Sequence, residues 1–249
     1  MHKKYSSWVM CLVGALFLIL VWETVAVCVK LSIIPSPVLV IKKLYLIFGT
    51  MIAKHLFYSL YRICVGLVAA IAIGVPLGIC MGYFPKVDRV CAPLIYLTYP
   101  IPKVALLPIV MLLFGTGEIS KIIIIFSIII FQIVISIRDS IHAIEEEMFY
   151  PLFSLGASFY DILREILWPA SLPQFLTALR ISTATSISVL FFTETFGTKY
   201  GLGYFVMDAW LRVNYLEMYA GIVVLSLIGL AIFCMFDFLE NKVCFWNTK

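Results

Sequence analysis

Apolar runs long enough to cross a lipid bilayer dominate this sequence. They extend over residues 8–31, 56–83, 94–114, 119–137, 174–192 and 216–238. The chain has 249 residues, of which 63% are hydrophobic and only 13% are charged. A soluble domain of this length cannot hide that much apolar surface from water. A spanning helix needs about 20 apolar residues, so the sequence predicts an all-α polytopic membrane protein with about six transmembrane helices, in a single domain over residues 1–249.

Charge and cysteine usage exclude several classes of function. The formal net charge of +4 is scattered, without the run of Lys and Arg that would follow a nucleic-acid backbone, so no nucleic-acid partner is expected. The seven cysteines form no C-x-x-C pair and are expected to be reduced. The sequence contains no H-E-x-x-H and no G-x-x-x-x-G-K-[ST] phosphate loop. We therefore expect no metal, no cofactor and no catalytic centre in this chain.

A stripe of small residues runs along the second apolar segment. Its members are spaced four residues apart, at Gly66, Ala70, Gly74, Gly78 and Gly82. Small residues at this spacing let another helix backbone approach closely, which is how helices associate in lipid. The stripe predicts a helix-packing face.

The third apolar segment is interrupted by proline at positions 93, 100, 102 and 108. Backbone groups freed by proline must be satisfied within the membrane, so irregular stretches persist only when they are buried in protein or line a wet cavity. The sequence therefore predicts a broken third helix, with Tyr99 and Lys103 at the break.

Between the first and second apolar segments, Ser36 and Pro37 form a helix start, with Ser as N-cap and Pro at the first helical position. We expect a short surface helix that carries Lys42 and Lys43. It suits either an interfacial segment or a solvated connector.

A polar loop over about 139–173 is predicted to leave the membrane. Gly156 lies where two helices meet at a sharp turn, which favours a residue that tolerates positive φ. Ser158 and Asp161 form a candidate capping box, and Pro169 is expected to end the following helix. That helix carries an apolar ridge, made of Phe159, Ile162, Leu163, Ile166 and Leu167. A short helix with an apolar ridge suits docking into a groove on a soluble partner.

A series of motifs, in this order and at these distances, resembles one transporter family. They are Ile34-Pro35-Ser36-Pro37, Gly74-Val75-Pro76-Leu77-Gly78, Pro100-Ile101-Pro102-Lys103, Phe114-Gly115-Thr116-Gly117-Glu118, Ser154 to Ser158, Thr177-Ala178-Leu179-Arg180 and Tyr200-Gly201-Leu202-Gly203-Tyr204. The chain resembles the permeases of ABC importers, the binding-protein-dependent transport inner-membrane component family. Within that family it is most similar to the branch that imports sulfonates, taurine and nitrate.

The resemblance implies a type I ABC importer permease fold in the plasma membrane of a bacterium or archaeon, with the coupling loop and both termini in the cytoplasm. The implied partners are ATPase subunits that bind ATP and Mg, an extracytoplasmic solute-binding protein, a second permease copy in a homodimer, and membrane lipid. Contact with the ATPase is implied for Ser154, Gly156, Ala157, Ser158, Phe159, Tyr160, Asp161, Leu163, Arg164 and Leu167. One departure is that Tyr150, Pro151 and Leu152 stand where the family has Glu-Ala-Ala, and Pro151 implies a kink.

Polar and ionisable groups inside the apolar segments are candidates for the transport pathway. The candidates are Tyr99, Lys103, Arg180, Thr183, Ser186 and Glu194, with Glu23 and Arg62 as further ionisable groups. The charged side chains could instead reach the membrane surface, and the hydroxyls could bond their own helix backbone. The solute is expected to be a sulfonate-like anion or a vitamin precursor. A secondary transporter or channel without an ATPase partner is the alternative function.

Overall fold

The computed structural model describes residues 2–244 and 246, and every regular element in that part of the chain is helical. The helices are α1 (His2–Val29), α2 (Pro37–Ile47), α3 (Ala53–Tyr83), α4 (Pro85–Thr98), α5 (Leu107–Phe114), α6 (Glu118–His142), α7 (Tyr150–Ser154), α8 (Phe159–Ile162), α9 (Trp168–Glu194), α10 (Leu202–Leu211) and α11 (Tyr215–Val243). Among the described residues, five helical segments are long and apolar enough to cross a membrane, and α4 with α5 makes a sixth when the bent pair is counted as one span. The predicted polytopic helical fold is confirmed.

The third span is broken where the prolines cluster. Helix α4 ends at Thr98, a short 3₁₀ turn begins at Lys103, and the two halves of the span meet at 81°. Pro93 does not interrupt the span, contrary to the prediction, because it lies inside α4. The break is therefore confined to the four residues 99–102.

The predicted surface helix is not a separate element. A π-type turn, Phe48–Ile52, joins α2 to α3, so that residues 37–83 form one long helical segment. Helix α2 packs on α11 through buried Val40, and the Lys43 ammonium lies 3.0 Å from Glu217 Oε1. Ser36 occupies the predicted N-cap position, but its hydroxyl donates to Glu23 Oε2 at 2.6 Å instead of capping the helix.

The polar loop is shorter than predicted. Helix α6 continues to His142 and α9 begins at Trp168, which leaves residues 143–167 between them. Pro169 does not end a helix, because it falls in the first turn of α9, where proline's missing N–H is tolerated. A π-type turn, Leu163–Leu167, comes directly before that turn and keeps residues 159–194 helical throughout.

The small-residue stripe on α3 lies against α6. A Cβ built on Gly66 would stand 2.7 Å from Ile125 Cγ2, and one built on Gly82 would stand 2.7 Å from Ile141 Cβ. Gly74 and Gly78 face Ile133 and Ile137 in the same way, at 3.1 and 3.0 Å, and Ala70 is fully buried. The two helices are thus in close contact along their whole shared length.

A large apolar core surrounds this contact. It joins α3 and α6 to α9 through isoleucine and leucine side chains that include Ile129, Ile133 and Leu179. A second core lies between α2, α10 and α11. Helix α1 stands to one side and is attached near its end, where the Trp22 indole donates to Pro35 O at 3.1 Å and stacks on Tyr219.

Adding a side chain to the packing stripe is expected to push α3 away from α6. Gly66→Val places new atoms where Ile125 already lies, and overpacking of this kind costs about 1–3 kcal/mol. The thermal melting temperature of the purified protein in detergent should therefore fall. Gly14→Val is the matched control, since nothing lies within 4 Å of a Cβ at Gly14. Equal melting temperatures for the two variants would contradict this packing.

Candidate functional site

The segment between α6 and α9 folds into two short helices around a glycine turn. Helix α7 ends at Ser154, and Gly156 follows with φ +71°, a conformation that glycine adopts without strain. The predicted capping box is confirmed, since the Asp161 N–H donates to Ser158 Oγ at 3.3 Å and the Ser158 N–H donates to Asp161 Oδ2 at 2.8 Å. The turn is therefore held by its own local hydrogen bonds.

Pro151 does not kink a helix. It lies in the first turn of α7, where its missing N–H is tolerated, and the neighbouring Tyr150 is exposed. The residues that replace Glu-Ala-Ala therefore begin a short helix that leads into the Gly156 turn.

Most of the apolar ridge of the following helix faces the protein's own core, and Phe159 at its start stays 41% exposed. Ile162, Ile166 and Leu167 are buried, Leu167 completely, and Leu163 packs against the same core. Phe159 contacts the end of α3, with ring centroids 5.2 Å from Tyr83 and 5.4 Å from Phe84. Packing inside this chain therefore accounts for Ile162, Ile166 and Leu167, whereas Phe159 keeps an exposed face.

The opposite side of the segment is exposed. Its exposed fractions are 82% at Leu155, 67% at Tyr160 and 54% at Phe153. The surrounding exposed positions are Ser154, Gly156, Ser158, Asp161 and Arg164, with Ala157 half-buried. This face lies on a loop that the membrane spans do not cover.

Lys103 stabilises the break in the third span. Its ammonium donates to the carbonyl oxygens of Thr98, Ile101 and Tyr99, the last two at 3.1 and 3.3 Å, and it lies 4.5 Å from the Phe131 ring centroid. These carbonyls belong to the end of α4 and to the break, where the regular helical hydrogen bonds stop; Thr98 O also accepts from the Ile101 N–H at 3.2 Å. Tyr99, also at the break, is 48% exposed.

The structure separates the remaining candidates for the pathway from one another. Arg180 reaches across to α11, where its Nη1 lies 3.0 Å from Asp237 Oδ1 and 3.4 Å from Glu240 Oε2. Thr183 and Ser186 are buried and donate to the carbonyls of Leu179 and Ser182, at 2.6 and 2.7 Å. The two hydroxyls therefore form hydrogen bonds with the backbone of their own helix. This is the alternative that the sequence offered to a role in lining a pore.

A cavity of 670 Å³ opens between α9 and α11. Its walls are mainly apolar, with the hydroxyls of Ser188 and Ser226 as its polar side chains. The cavity residues carry no ionised group, so this space offers no ionic partner to a charged solute.

Glu194, predicted as a pathway residue, belongs to a buried charge cluster and lines no open space in this structure. Its carboxylate is 0% exposed and accepts from Arg62 Nη1 at 2.5 Å, from Ser59 Oγ at 2.7 Å and from the Gly203 N–H at 2.7 Å. Arg62, also 0% exposed, forks onto Glu118, with Nε to Oε2 at 2.5 Å and Nη2 to Oε1 at 2.7 Å.

The glycines of the following loop fit closely around this cluster. A Cβ on Gly201 would lie 2.5 Å from Glu194 Cδ and 2.6 Å from Arg62 Nη1, at φ +151°. Arg62 Nη2 also donates to Tyr200 O at 2.8 Å. The Lys54 ammonium lies 3.8 Å from the Tyr200 ring centroid and lowers the pKa of the Tyr200 phenol. The loop is thereby fixed to α3.

The order of the spans in the sequence is enough to place the three charges of this cluster at one end of the bundle. Spans alternate in direction, so the start of the second, the start of the fourth and the end of the fifth share one end of the bundle. Arg62, Glu118 and Glu194 occupy those three places. The Gly156 turn lies at the opposite end of the bundle. Helix α6 runs from the Arg62 cluster to this turn, and α9 runs back from the turn to the cluster.

Comparisons with known proteins agree with this architecture. Residues 74–244 match the family model described as the binding-protein-dependent transport system inner membrane component. The chain is 32% identical to the taurine transport system permease protein TauC of Escherichia coli strain K12, over 95% of this chain and 90% of that protein. It is 29% identical to the formylaminopyrimidine transport permease protein ThiX of Halalkalibacterium halodurans, over 94% of each chain.

A further relative is the putative aliphatic sulfonates transport permease protein SsuC of Bacillus subtilis strain 168, at 25% identity over 99% of this chain and 91% of that protein. The fold is similar to a chain of the inward-facing MetNI methionine ABC transporter, with a TM-score of 0.65 and 19% identity over 80% of this chain and 96% of that one. The chain therefore belongs to the binding-protein-dependent transport system inner membrane component family, and it is the permease subunit of an ABC importer.

Proposed function

We propose that the exposed side of the Gly156 turn is the docking site for the ATPase subunits of this importer. The single observation that carries this proposal is the exposure of Leu155, Tyr160 and Phe153 around the turn that connects the fourth and fifth spans. Large apolar side chains clustered on a water-facing surface mark an interaction site. Within this segment they form the surface left for a partner, because Ile162, Ile166 and Leu167 on the other side are buried.

The segment around Gly156 contacts the chain close to the broken span, so its movement can be transmitted to that span. Phe159 of α8 contacts Phe84, the single residue between α3 and α4. Helix α4 in turn leads to the break at residues 99–102. ATP and Mg bind the partner ATPase, and displacement of the Gly156 turn by that ATPase reorients the broken span.

The orientation follows from this docking. The ATPase uses cytoplasmic ATP, so the Gly156 turn faces the cytoplasm, together with both chain termini, in the plasma membrane of a bacterium or archaeon. The Arg62 cluster and the loop at residues 195–201 then face the outside, where the solute-binding protein delivers its cargo.

A second copy of this chain completes the pathway as a homodimer within the lipid bilayer. The supporting feature is the break at residues 99–102, since Tyr99, Pro100, Ile101 and Pro102 are all exposed in the single chain. Irregular backbone at membrane depth must be covered by protein or line a wet cavity. The break therefore faces the second copy and the solute path between the two.

The solute is a small sulfonate-like anion, and its selection rests with the binding protein. The names of two relatives, TauC and SsuC, refer to taurine and aliphatic sulfonates. Lys103 is bonded to backbone carbonyls and Arg180 to carboxylates, so neither cation is free to bind an anion. A formylaminopyrimidine, the solute in the name of ThiX, is the second candidate.

Placing a charge on the docking face is expected to weaken ATPase binding. Leu155→Glu inserts a carboxylate into a predicted apolar contact, and a central interface residue is typically worth about 2 kcal/mol or more, about 30-fold in affinity. Co-purification of the ATPase with the tagged permease should fall accordingly.

Phe196→Glu is the control for this substitution, since Phe196 is also a large exposed apolar residue but follows α9 at the opposite end of the bundle. It should leave ATPase co-purification unchanged. Full ATPase recovery with Leu155→Glu would reject the docking face, and a permease that transports solute without any ATPase would reject the proposed function.

The substrate class is tested on the binding protein encoded beside this permease. Calorimetric titration with taurine should show tight binding, whereas formylaminopyrimidine should show none. The reverse result would replace the sulfonate by a vitamin precursor and leave the docking proposal untouched.

A further inference from the structure

The two helices that flank the Gly156 turn are bound at their far ends by one side chain. Helix α6 begins at Glu118 and leads into the turn, and α9 leads out of it and ends at Glu194. At a rise of about 1.5 Å per residue, each helix is roughly 40 Å long. Both terminal carboxylates bind the guanidinium of Arg62, which belongs to a third helix, α3.

The geometry of Arg62 suits a clamp. Nε and Nη2 donate in parallel to the two carboxylate oxygens of Glu118, while Nη1 donates to Glu194. A guanidinium presents its donors in a planar, rigid fork, so the relative position of the two carboxylates is fixed as well as their charge. A lysine ammonium could not reproduce this arrangement.

Stability alone is a weak explanation for such a cluster. Removing two charges from water is expensive, and a buried ion pair is often no more stabilising than well-packed apolar side chains. What the cluster does specify is a single arrangement of two helix ends, at Glu118 and Glu194, against the side of α3. Glu118 remains 40% exposed at its side chain, so this arm of the clamp can be changed without emptying the core.

We propose that Arg62 is a positioning residue that makes α6 and α9 move as one rigid unit when the ATPase displaces the Gly156 turn. The inference rests on the proposed docking of the ATPase at that turn. Without the clamp, only the apolar packing between α6 and α9 resists separation of their far ends during a push at the turn. With it, the same push tilts both helices together and reaches the outer end of the pathway.

The experiment measures the distance between the two far ends in the assembled transporter. Spin labels are attached at Ile119→Cys in α6 and Phe196→Cys just beyond α9, both exposed, with the native cysteines replaced by alanine. Distances are recorded by pulsed electron paramagnetic resonance, without nucleotide and with ATP bound to a hydrolysis-blocked ATPase. The unaltered clamp should give one intramolecular distance distribution of equal width in both states.

Glu118→Gln removes the charge from the exposed arm of the clamp while keeping its shape. It should add a second, longer distance in the ATP-bound state and leave the nucleotide-free distance unchanged. Arg62→Lys keeps the positive charge but loses the fork, and the same second distance is expected. Because two different variants test one prediction, poor expression of either one leaves the other decisive.

Glu217→Gln is the matched control. Glu217 is a nearly buried carboxylate that also binds two cations, Lys43 and Arg212, but it belongs to α11 and not to the flanking pair. This variant should show the single distance. A second distance with Glu217→Gln, or none with Glu118→Gln and Arg62→Lys, would overturn the clamp.

Co-purification of the ATPase separates this inference from the proposed function. If the ATPase binds and the distances do not respond to the clamp variants, the clamp is wrong and the docking site stands. If the ATPase fails to bind the unaltered permease, the docking site is wrong, and the clamp as a link in coupling falls with it.

Discussion

The close contact of α3 with α6 is the constraint on which the rest of this structure depends. Lipid tails are as apolar as the helices, so burial from water cannot hold two spans together, and van der Waals contact at short range has to do so. The glycines of α3 allow Ile125, Ile133, Ile137 and Ile141 to approach its backbone directly. This pair fixes where the start of α6 lies relative to α3, and thereby brings Glu118 to Arg62.

Polar groups at the helix ends then add specificity to that packing. The cytoplasmic end proposed here carries a glycine turn with its own capping box, which can keep its shape while it moves. The other end carries a buried cluster in which Arg62, Glu118 and Glu194 hold three segments together. Such a bundle is deformable at the loops and stiff along its helices, which suits a protein that converts a push at one end into a rearrangement at the other.

Much of the fold could be predicted from the sequence, because apolar length and small-residue spacing act locally. The spans, the broken third helix and the turn at Gly156 all follow from such patterns. The ends of helices were less certain, since Pro93 and Pro169 are accommodated by a helix interior and a first turn that composition does not distinguish from a break. The apolar ridge at Ile162 and Leu167 was assigned to a partner because a sequence shows that a face is apolar but not which surface covers it.

The pathway candidates were the least predictable part, because a single charge or hydroxyl does not reveal its partner. Arg180 and Lys103 looked like free cations until their carboxylate and carbonyl acceptors were known. The hydrogen bonds of the α9 hydroxyls also bear on how such a transporter could evolve. Since Thr183 and Ser186 donate to their own backbone, these two hydroxyls are not left to bind a passing molecule. A transport pathway that does not select its solute through these hydroxyls could carry a new nutrient after a change in the solute-binding protein alone. No substitution inside the membrane would then be needed.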